Sequence, residues 1–507
     1  MTHVLERLHV SETAVSAAGH YVGDEGAGAI ARALKRLPDV EAVALANNGI
    51  TPRGARPLLR SLADKRALRV IDLSGNRLGS SRTMAEMGRI VGEAHNGGGG
   101  GGGGATLATI ELRDCCISPR GAGIFAAALS ENRALTRIDL SGNAIGDAGA
   151  MAIAAALETH GAMEHVAMRR CDIGDGGARA LGAVLGASST LTRLDVDENE
   201  LGPVGVAALG AAMGESRSME LLCLSGNALG EEGARAIARA LEGPNCSLRA
   251  LHIARCDVDD TLADVLAEAM AVNESLTQLN LQGNGLTADG CSMFARALET
   301  NATVSRLGLQ ENEIGDGGCE ALAAMLRVNT VLSELDVHAN GIGADGCEAL
   351  AQALHSNVSL TWLHLGGNAI PAAGGVAFFE TMAANASLTH ITLPSSATTA
   401  ATGESIRMDL DRNRFRADKL KDRSMATLGE MMDARAFLND ELDAAAFCGH
   451  VARMAAAAAG TRRAEPTKVQ PALHMLERVS AHVVPHLTRS PGGFSVLVER
   501  MRRLVHA

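Results

Sequence analysis

Aromatic side chains are nearly absent from this chain, which has only 8 Phe, 1 Trp and 1 Tyr in 507 residues. A large core must therefore come from aliphatic residues and alanine, which suits many thin, similar layers better than one thick globule. No Cys-x-x-Cys pair occurs among the 10 cysteines, so the common zinc and redox motifs are missing. No Gly-Lys dipeptide exists anywhere, which removes the phosphate-cradling nucleotide loop. No run approaches the roughly 18 apolar residues of a membrane span. Met1 to Val10, which holds His3, Glu6, Arg7 and His9, lacks the unbroken apolar core of a secretory signal. Cysteines in such a chain read as reduced thiols, and a cytoplasmic location is expected. A formal charge of −12 argues against a basic nucleic-acid binder, and 47% apolar with 21% charged residues against wholesale disorder. Nucleophile elbows, zinc-protease helices and paired catalytic signatures are absent, so no enzyme is expected.

What the chain does have is a period. The pattern Leu-x-x-Leu-x-Leu-x-x-Asn recurs, and its ninth position falls at Asn48, Asn76, Cys115, Asn143, Cys171, Asn199, Asn227, Cys256, Asn284, Asn312, Asn340 and Asn368. Most steps are 28 residues; one, from Asn76 to Cys115, is 39. Each unit opens with an alternating run such as Leu276 to Leu281, which reads as a strand with one buried face. It continues into a run such as Gly343 to Leu354, whose apolar residues fall three and four apart and read as a helix. Strands joined by helices run parallel with right-handed crossovers, and a constant step stacks each unit on the last. The expected fold is an α/β solenoid, a horseshoe with inner parallel strands and outer helices. Its ninth-position amides should satisfy buried backbone groups, with cysteine as a small, weakly hydrogen-bonding substitute. Cys291, Cys319 and Cys347 form a further buried column at the helix starts.

The strand signature followed by Ile-Gly-x-x-Gly-Ala-x-x-Leu-Ala-x-x-Leu, whole from Ile145 to Leu157, resembles the ribonuclease-inhibitor-like leucine-rich repeats from Val40 to Leu393. The resemblance extends to the repeat regions of NOD-like receptors, without their nucleotide-binding module. It implies a protein-binding scaffold, since that family works largely by association. The Ran-directed GTPase-activating proteins and components of large assemblies such as the axoneme share the repeat and are the alternatives. The former typically carry less uniform repeats and an acidic tail.

The expected organisation is an N-terminal cap with a degraded repeat over 1–39, a solenoid over 40–402, a closing helix over 403–424 and a helical tail over 425–507. In the cap, Leu5, Leu8 and Val10 read as strand positions and Val22 to Leu34 as a helix. Residues 97–104 are eight consecutive glycines, read as a flexible exposed loop. Asn-x-Ser/Thr triplets at Asn245, Asn273, Asn301, Asn357 and Asn385 fall just before a strand and read as repeat consensus. From Pro466 onward six basic residues face two acidic ones. There Phe494, Leu497, Val498, Met501, Leu504 and Val505 form an apolar stripe suited to a neighbouring helix, a partner groove or a membrane surface.

Alternation sends the third, fifth and seventh positions of each strand pattern to the concave face. In the middle units these are Arg137, Asp139, His165, Arg169, Arg193, Asp195 and Asp197, either a charged recognition strip or mutually neutralising pairs. Toward the C-terminal end they are Glu334, Asp336, His338, Trp362, His364 and His390. Asp336 and His364 should be direct cross-strand neighbours, and Trp362, read as exposed, a binding anchor. The histidines and Asp336 are suitable ligand types for a divalent metal, yet a flat sheet spreads them. Asp195 to Asn199 starts like a calcium loop but has Glu200 where glycine is needed. No cofactor or metal is expected, and the partner is expected to be another protein.

Deleting 97–104 should leave the thermal midpoint nearly unchanged, because loop entropy varies slowly with length; a collapse of folding in a calorimetric scan would show that the glycines are structural.

Overall fold

The computed structural model describes residues 9–10, 13–17, 19, 21–93, 107–243, 246–398, 406–411 and 413–414. Leu5, Leu8, the glycine run, Asn245, the tail 425–507 and most of the 403–424 segment lie outside the described residues. Among the described residues, fifteen strands form one sheet in strict chain order. They are β1 His9–Val10, β2 Ala14–Ser16, β3 Ala42–Ala44, β4 Val70–Asp72, β5 Thr109–Glu111, β6 Arg137–Asp139, β7 His165–Ala167, β8 Arg193–Asp195, β9 Leu221–Cys223, β10 Ala250–His252, β11 Gln278–Asn280, β12 Arg306–Gly308, β13 Glu334–Asp336, β14 Trp362–His364 and β15 His390–Thr392. From β2 onward neighbours are parallel, and a helix of 11 to 13 residues follows each of β2 to β14. The sheet is open, and the fold is the expected solenoid.

The expected first strand needs correction. Parallel register places it at Ala14–Ser16, with Ala14 opposite Ala42, one regular step away. Val10 lies instead in β1, which turns back antiparallel so that Val10 faces Val15. Buried Val15 is the residue in the core column, so the repeat frame reaches back to Ala14, within the 1–39 segment read as a degraded repeat. Across the long step Val70 still pairs with Thr109 and Ile71 with Ile110, so the register of the strands is unbroken there. At the other end Ile406 and Leu410 are buried against the core, as a closing segment requires.

Strand centres carry the core. Ile110, Ile138, Val166 and Leu194 follow one another in register and are all buried, each contributing about 1.5–3 kcal/mol of transfer free energy. Three polar columns hold the turns. In the strand-end column, Asn284 Oδ1 accepts from Cys256 N and Val258 N while its Nδ2 donates to Ile253 O and Leu281 O, all within 3.1 Å. Cys115 fits the same place by donating its thiol to Leu73 O. Burial holds that thiol's pKa up at about 12.

A second asparagine column closes the helix C-termini. Asn273, Asn301, Asn329, Asn357 and Asn385 are buried. Asn301 Nδ2 donates to Met270 O and Asn273 O, and its Oδ1 accepts from Thr303 N and Val304 N. Four of the five begin Asn-x-Ser/Thr triplets, and their structural work explains that spacing. Asn413 extends the column past the last strand, donating to Asn385 O and Leu388 O. Lys65 serves in the same place near the other end, through Leu34 O and Leu37 O.

The third column is acidic. Asp147 Oδ1 accepts from Gly174 N and Gly177 N, Asp175 from Gly202 N and Gly205 N, and Asp316 from Gly343 N and Gly346 N. A carboxylate in one helix's first turn thus caps the next helix, whose own cap glycine has no side chain to offer. At Gly346 a Cβ would lie 2.6 Å from that Asp316 oxygen, so the close approach demands glycine.

His160 occupies the second asparagine column yet is fully buried, with neither ring nitrogen hydrogen-bonded. Burial, then Arg133, pushes its pKa from 6.5 to about 4. The unfolded chain therefore takes up a proton that the fold refuses, and stability falls as pH drops from 6.5 toward 4. His160→Asn should raise the unfolding free energy by about 1 kcal/mol at neutral pH, with its advantage over the parent widening between about pH 7 and about pH 5. Urea titrations at both pH values check this, and parallel curves would contradict it. Asn284→Leu should cost at least about 1–3 kcal/mol by stranding buried backbone groups; an unchanged midpoint would count against the strand-end ladder.

Candidate functional site

The concave surface consists of the third, fifth and seventh positions, held in columns by the register. In the central region Arg137, His165 and Arg193 are successive partners on β6, β7 and β8. Flanked by two guanidinium groups and mostly desolvated, His165 has its pKa lowered to about 4, by burial first and then by Arg137 and Arg193. It is neutral at physiological pH. Asp139 is buried and receives Arg113 Nε at 2.6 Å, while Arg113 also reaches Glu111 at 2.9 Å. Arg137 Nε has no hydrogen-bond partner and lies 3.8 Å from Glu111. Much of the strip is therefore internally neutralised, and Arg193 remains exposed at its edge.

At the adjacent bend, the eighth position takes a left-handed backbone in every unit from Asn47 to Gly367. Asp114, Arg170, Glu198, Arg255 and Glu311 hold it without glycine, at φ between 50° and 59°, a conformation costing about 1–2 kcal/mol. These residues form a belt of ion pairs. Arg170 stands 3.7 Å from Asp114 and 3.9 Å from Glu198, Arg169 also bonds Glu198, and Arg255 meets Glu311 at 2.7 Å. Gly142 lies between the partners of the first pair; a Cβ there would sit 2.0 Å from Asp114 Oδ1.

Toward the C-terminal end the register puts Asp336 opposite His364 and Trp362 between Glu334 and His390. His364 Nδ1 lies 3.4 Å from Asp336, its ring is 4.8 Å from that of His338, and Trp362 meets it edge-on at 5.5 Å. The Asp336–His364 neighbourhood is as expected from the spacing. Trp362 differs: it is half-buried rather than exposed, because His364 packs against its ring. Nδ1 of His338 is buried without a partner. Glu334 is drawn away to Arg306 at 3.0 Å, and His390 is exposed beside Thr389 at 2.9 Å. The structure thus unites Trp362, His364, His338 and Asp336 and leaves Glu334 and His390 at the margin.

Several concave residues escaped the sequence reading. Arg113 and Glu111 lie in the same columns one unit earlier. Cys223 and His252 hold the fifth position on β9 and β10, directly in line with Asp195. Applying the third-fifth-seventh rule to every unit, instead of following charge, finds all four.

Seven segments, 131–154, 163–182, 187–210, 215–238, 272–295, 300–323 and 328–351, match the leucine-rich repeat family. No curated protein matches the chain. Among solved structures, the chain is similar to an internalin of Listeria monocytogenes, at 15% identity over 76% of this chain and 89% of that one, with a TM-score of 0.43. It is also similar to TLR13 in its complex with ssRNA13, at 19% identity over 67% of this chain and 41% of that one, with a TM-score of 0.41. Leiomodin-1 actin-binding site 2 gives 22% identity over 32% of this chain and 95% of that one, with a TM-score of 0.30. The seven matched segments and the parallel register together give this chain the fold of a leucine-rich-repeat solenoid.

Proposed function

We propose that this protein is a non-enzymatic, cytoplasmic scaffold that binds another protein on its concave face, with the anchor at Trp362, His364, His338 and Asp336. Leucine-rich repeats support a protein-interaction scaffold in general. The observation that carries the finer reading is the contact cluster of β13 and β14: an indole and two imidazoles packed on adjacent strands, with a buried imidazole nitrogen left unpartnered. Trp362 is the chain's only tryptophan. Such residues dominate interface energies when a partner excludes water from them. The frame around them is rigid, so association costs little backbone ordering. The arginine-rich strip from Arg137 to Arg193 would steer a partner by charge more than it would anchor one, because solvated ion pairs contribute little. The uniform 28-residue units and full outer helices favour the ribonuclease-inhibitor-like branch of the repeats.

The test is affinity capture with the parent and with a Trp362→Ala/His364→Ala variant of unchanged melting temperature. The expected outcome is a partner retained by the parent at least about tenfold better than by the variant, as loss of a hot-spot residue implies. Equal retention would remove the anchor from this end of the face.

A further inference from the structure

Asp195, Asp197 and Cys223 present ligand atoms within 4.8 Å of one another in the middle of the concave sheet. Asp195, Cys223 and His252 are register partners on β8, β9 and β10, and His252 Nδ1 is 3.5 Å from Cys223 Sγ. Ligand bonds of about 2.3 Å to sulfur and about 2.0–2.1 Å to imidazole nitrogen give a tetrahedral S···N edge of about 3.6 Å. The observed separation matches that edge.

The carboxylates are also placed for a cation. Asp195 Oδ1 accepts from Asp197 N at 3.0 Å, and Asp197 Oδ1 accepts from Ser225 N at 2.6 Å. One oxygen of each is thereby oriented by backbone, and the Ser225 side chain also bonds the Asp197 carboxylate. Neither carboxylate forms an ion pair among the described residues, because the nearby Arg169 is taken by Glu198. Asp197 and Cys223 are buried, and His252 is half-buried. The Arg169 guanidinium acts on both carboxylates only from beyond ion-pair distance, and a divalent cation would offset the cost of burying them close together.

His252 has an outer partner as well. Its Nε2 lies 3.1 Å from the Gln278 side-chain amide. With the amide turned so that Oε1 faces the ring, Nε2–H donates to Gln278 and the Nδ1 lone pair faces the site.

We propose that Asp195, Asp197, Cys223 and His252 form a zinc-binding site on the concave face, with Gln278 positioning His252. The mixed carboxylate, thiolate and imidazole set suits Zn²⁺ rather than calcium or magnesium, which take oxygen donors. Rotation of the Asp195 carboxylate contracts the donor set around the ion. On binding, Cys223 releases its thiol proton to solvent and the sulfur becomes a thiolate ligand. This departs from the expectation of no metal drawn from the sequence, which reads Asp195 and Asp197 as part of the charged concave strip and, for metals, as an incomplete calcium loop.

The experiment uses the full-length, reduced protein stripped with a chelator and titrated with Co²⁺ as a spectroscopic probe, then with Zn²⁺. The expected result is one equivalent of Co²⁺ producing a thiolate-to-metal charge-transfer band and tetrahedral visible bands, both bleached by Zn²⁺. Cys223→Ser should abolish the charge-transfer band, whereas Cys116→Ser, at an exposed thiol, should keep it. His252→Ala and Asp197→Asn should each weaken Zn²⁺ at least about tenfold in chelator competition, and Gln278→Ala about 10- to 100-fold with the band retained. Far-ultraviolet circular dichroism checks that each variant is folded; Asp197→Asn keeps the Ser225 contact and serves if Cys223→Ser does not fold. Absence of stoichiometric binding, a charge-transfer band surviving in Cys223→Ser, or unchanged affinity in Asp197→Asn would overturn the site.

Discussion

Every unit of this solenoid has to turn its chain twice inside a packed stack, and each turn buries peptide N–H and C=O groups that no strand or helix can pair. That constraint governs the structure. A buried peptide group left unpaired costs about 1–3 kcal/mol, multiplied by the number of turns, so the sequence must supply a side-chain partner at a fixed place in every unit. Asparagine does this at the strand end and again at the helix end, because one amide donates twice and accepts twice. Aspartate does it at the helix start, where only N–H groups need acceptors. Each of these side chains bonds backbone of a neighbouring unit: Asn301 reaches Met270 and Asn273, and Asp316 reaches Gly343 and Gly346. The three columns are the stitching between repeats, and a step of 28 residues is the spacing at which all three close together.

With register held that firmly, the inner face becomes a grid. A residue's column follows from its place in the repeat, and its row from the unit number. Side chains 28 residues apart become neighbours: Asp336 and His364 at one end, Arg137, His165 and Arg193 in the middle. The same grid explains the alternation of arginine and carboxylate along the bend, where Asp114, Arg170 and Glu198 tolerate a left-handed backbone and pair across one or two units. The internal pairing there and around Asp139 leaves a smaller set of polar groups for ligands. Those at β13 and β14 combine large ring area with an unpartnered nitrogen, and those from β8 to β10 combine four metal-ligating groups. The two sets would serve different purposes, one protein recognition and the other ion binding.

Much of this was legible in the one-dimensional pattern, and the exceptions have identifiable causes. The strand-end ladder, including its cysteine substitutes, follows from a recurring ninth position. Adjacency of Asp336 and His364 follows from their common column. The helix-end ladder was present at the same spacing, but Asn273, Asn301, Asn357 and Asn385 attracted notice as Asn-x-Ser/Thr triplets, and a triplet says nothing of buried carbonyls. The expected frame through Val10 fails because short apolar runs can satisfy a period of two in more than one frame; Ala14–Ser16 is weakly apolar and only pairing with Ala42 identifies it. Cys223 and His252 were missed because charge was used to select residues where column position was the better guide.

The sequence by itself determined the repeat, the direction of its strands and the columns that face inward, since these depend only on the order of apolar and polar residues and on a constant step. Tertiary structure decided which polar groups are spent on one another and which are left over. Arg113 neutralises Asp139, Arg306 draws Glu334 aside, His364 half-covers Trp362, and His160 is sealed without a partner. Those outcomes depend on side-chain rotamers and on distances between units in three dimensions. A pattern of letters sets who can meet, while desolvation and geometry decide who does.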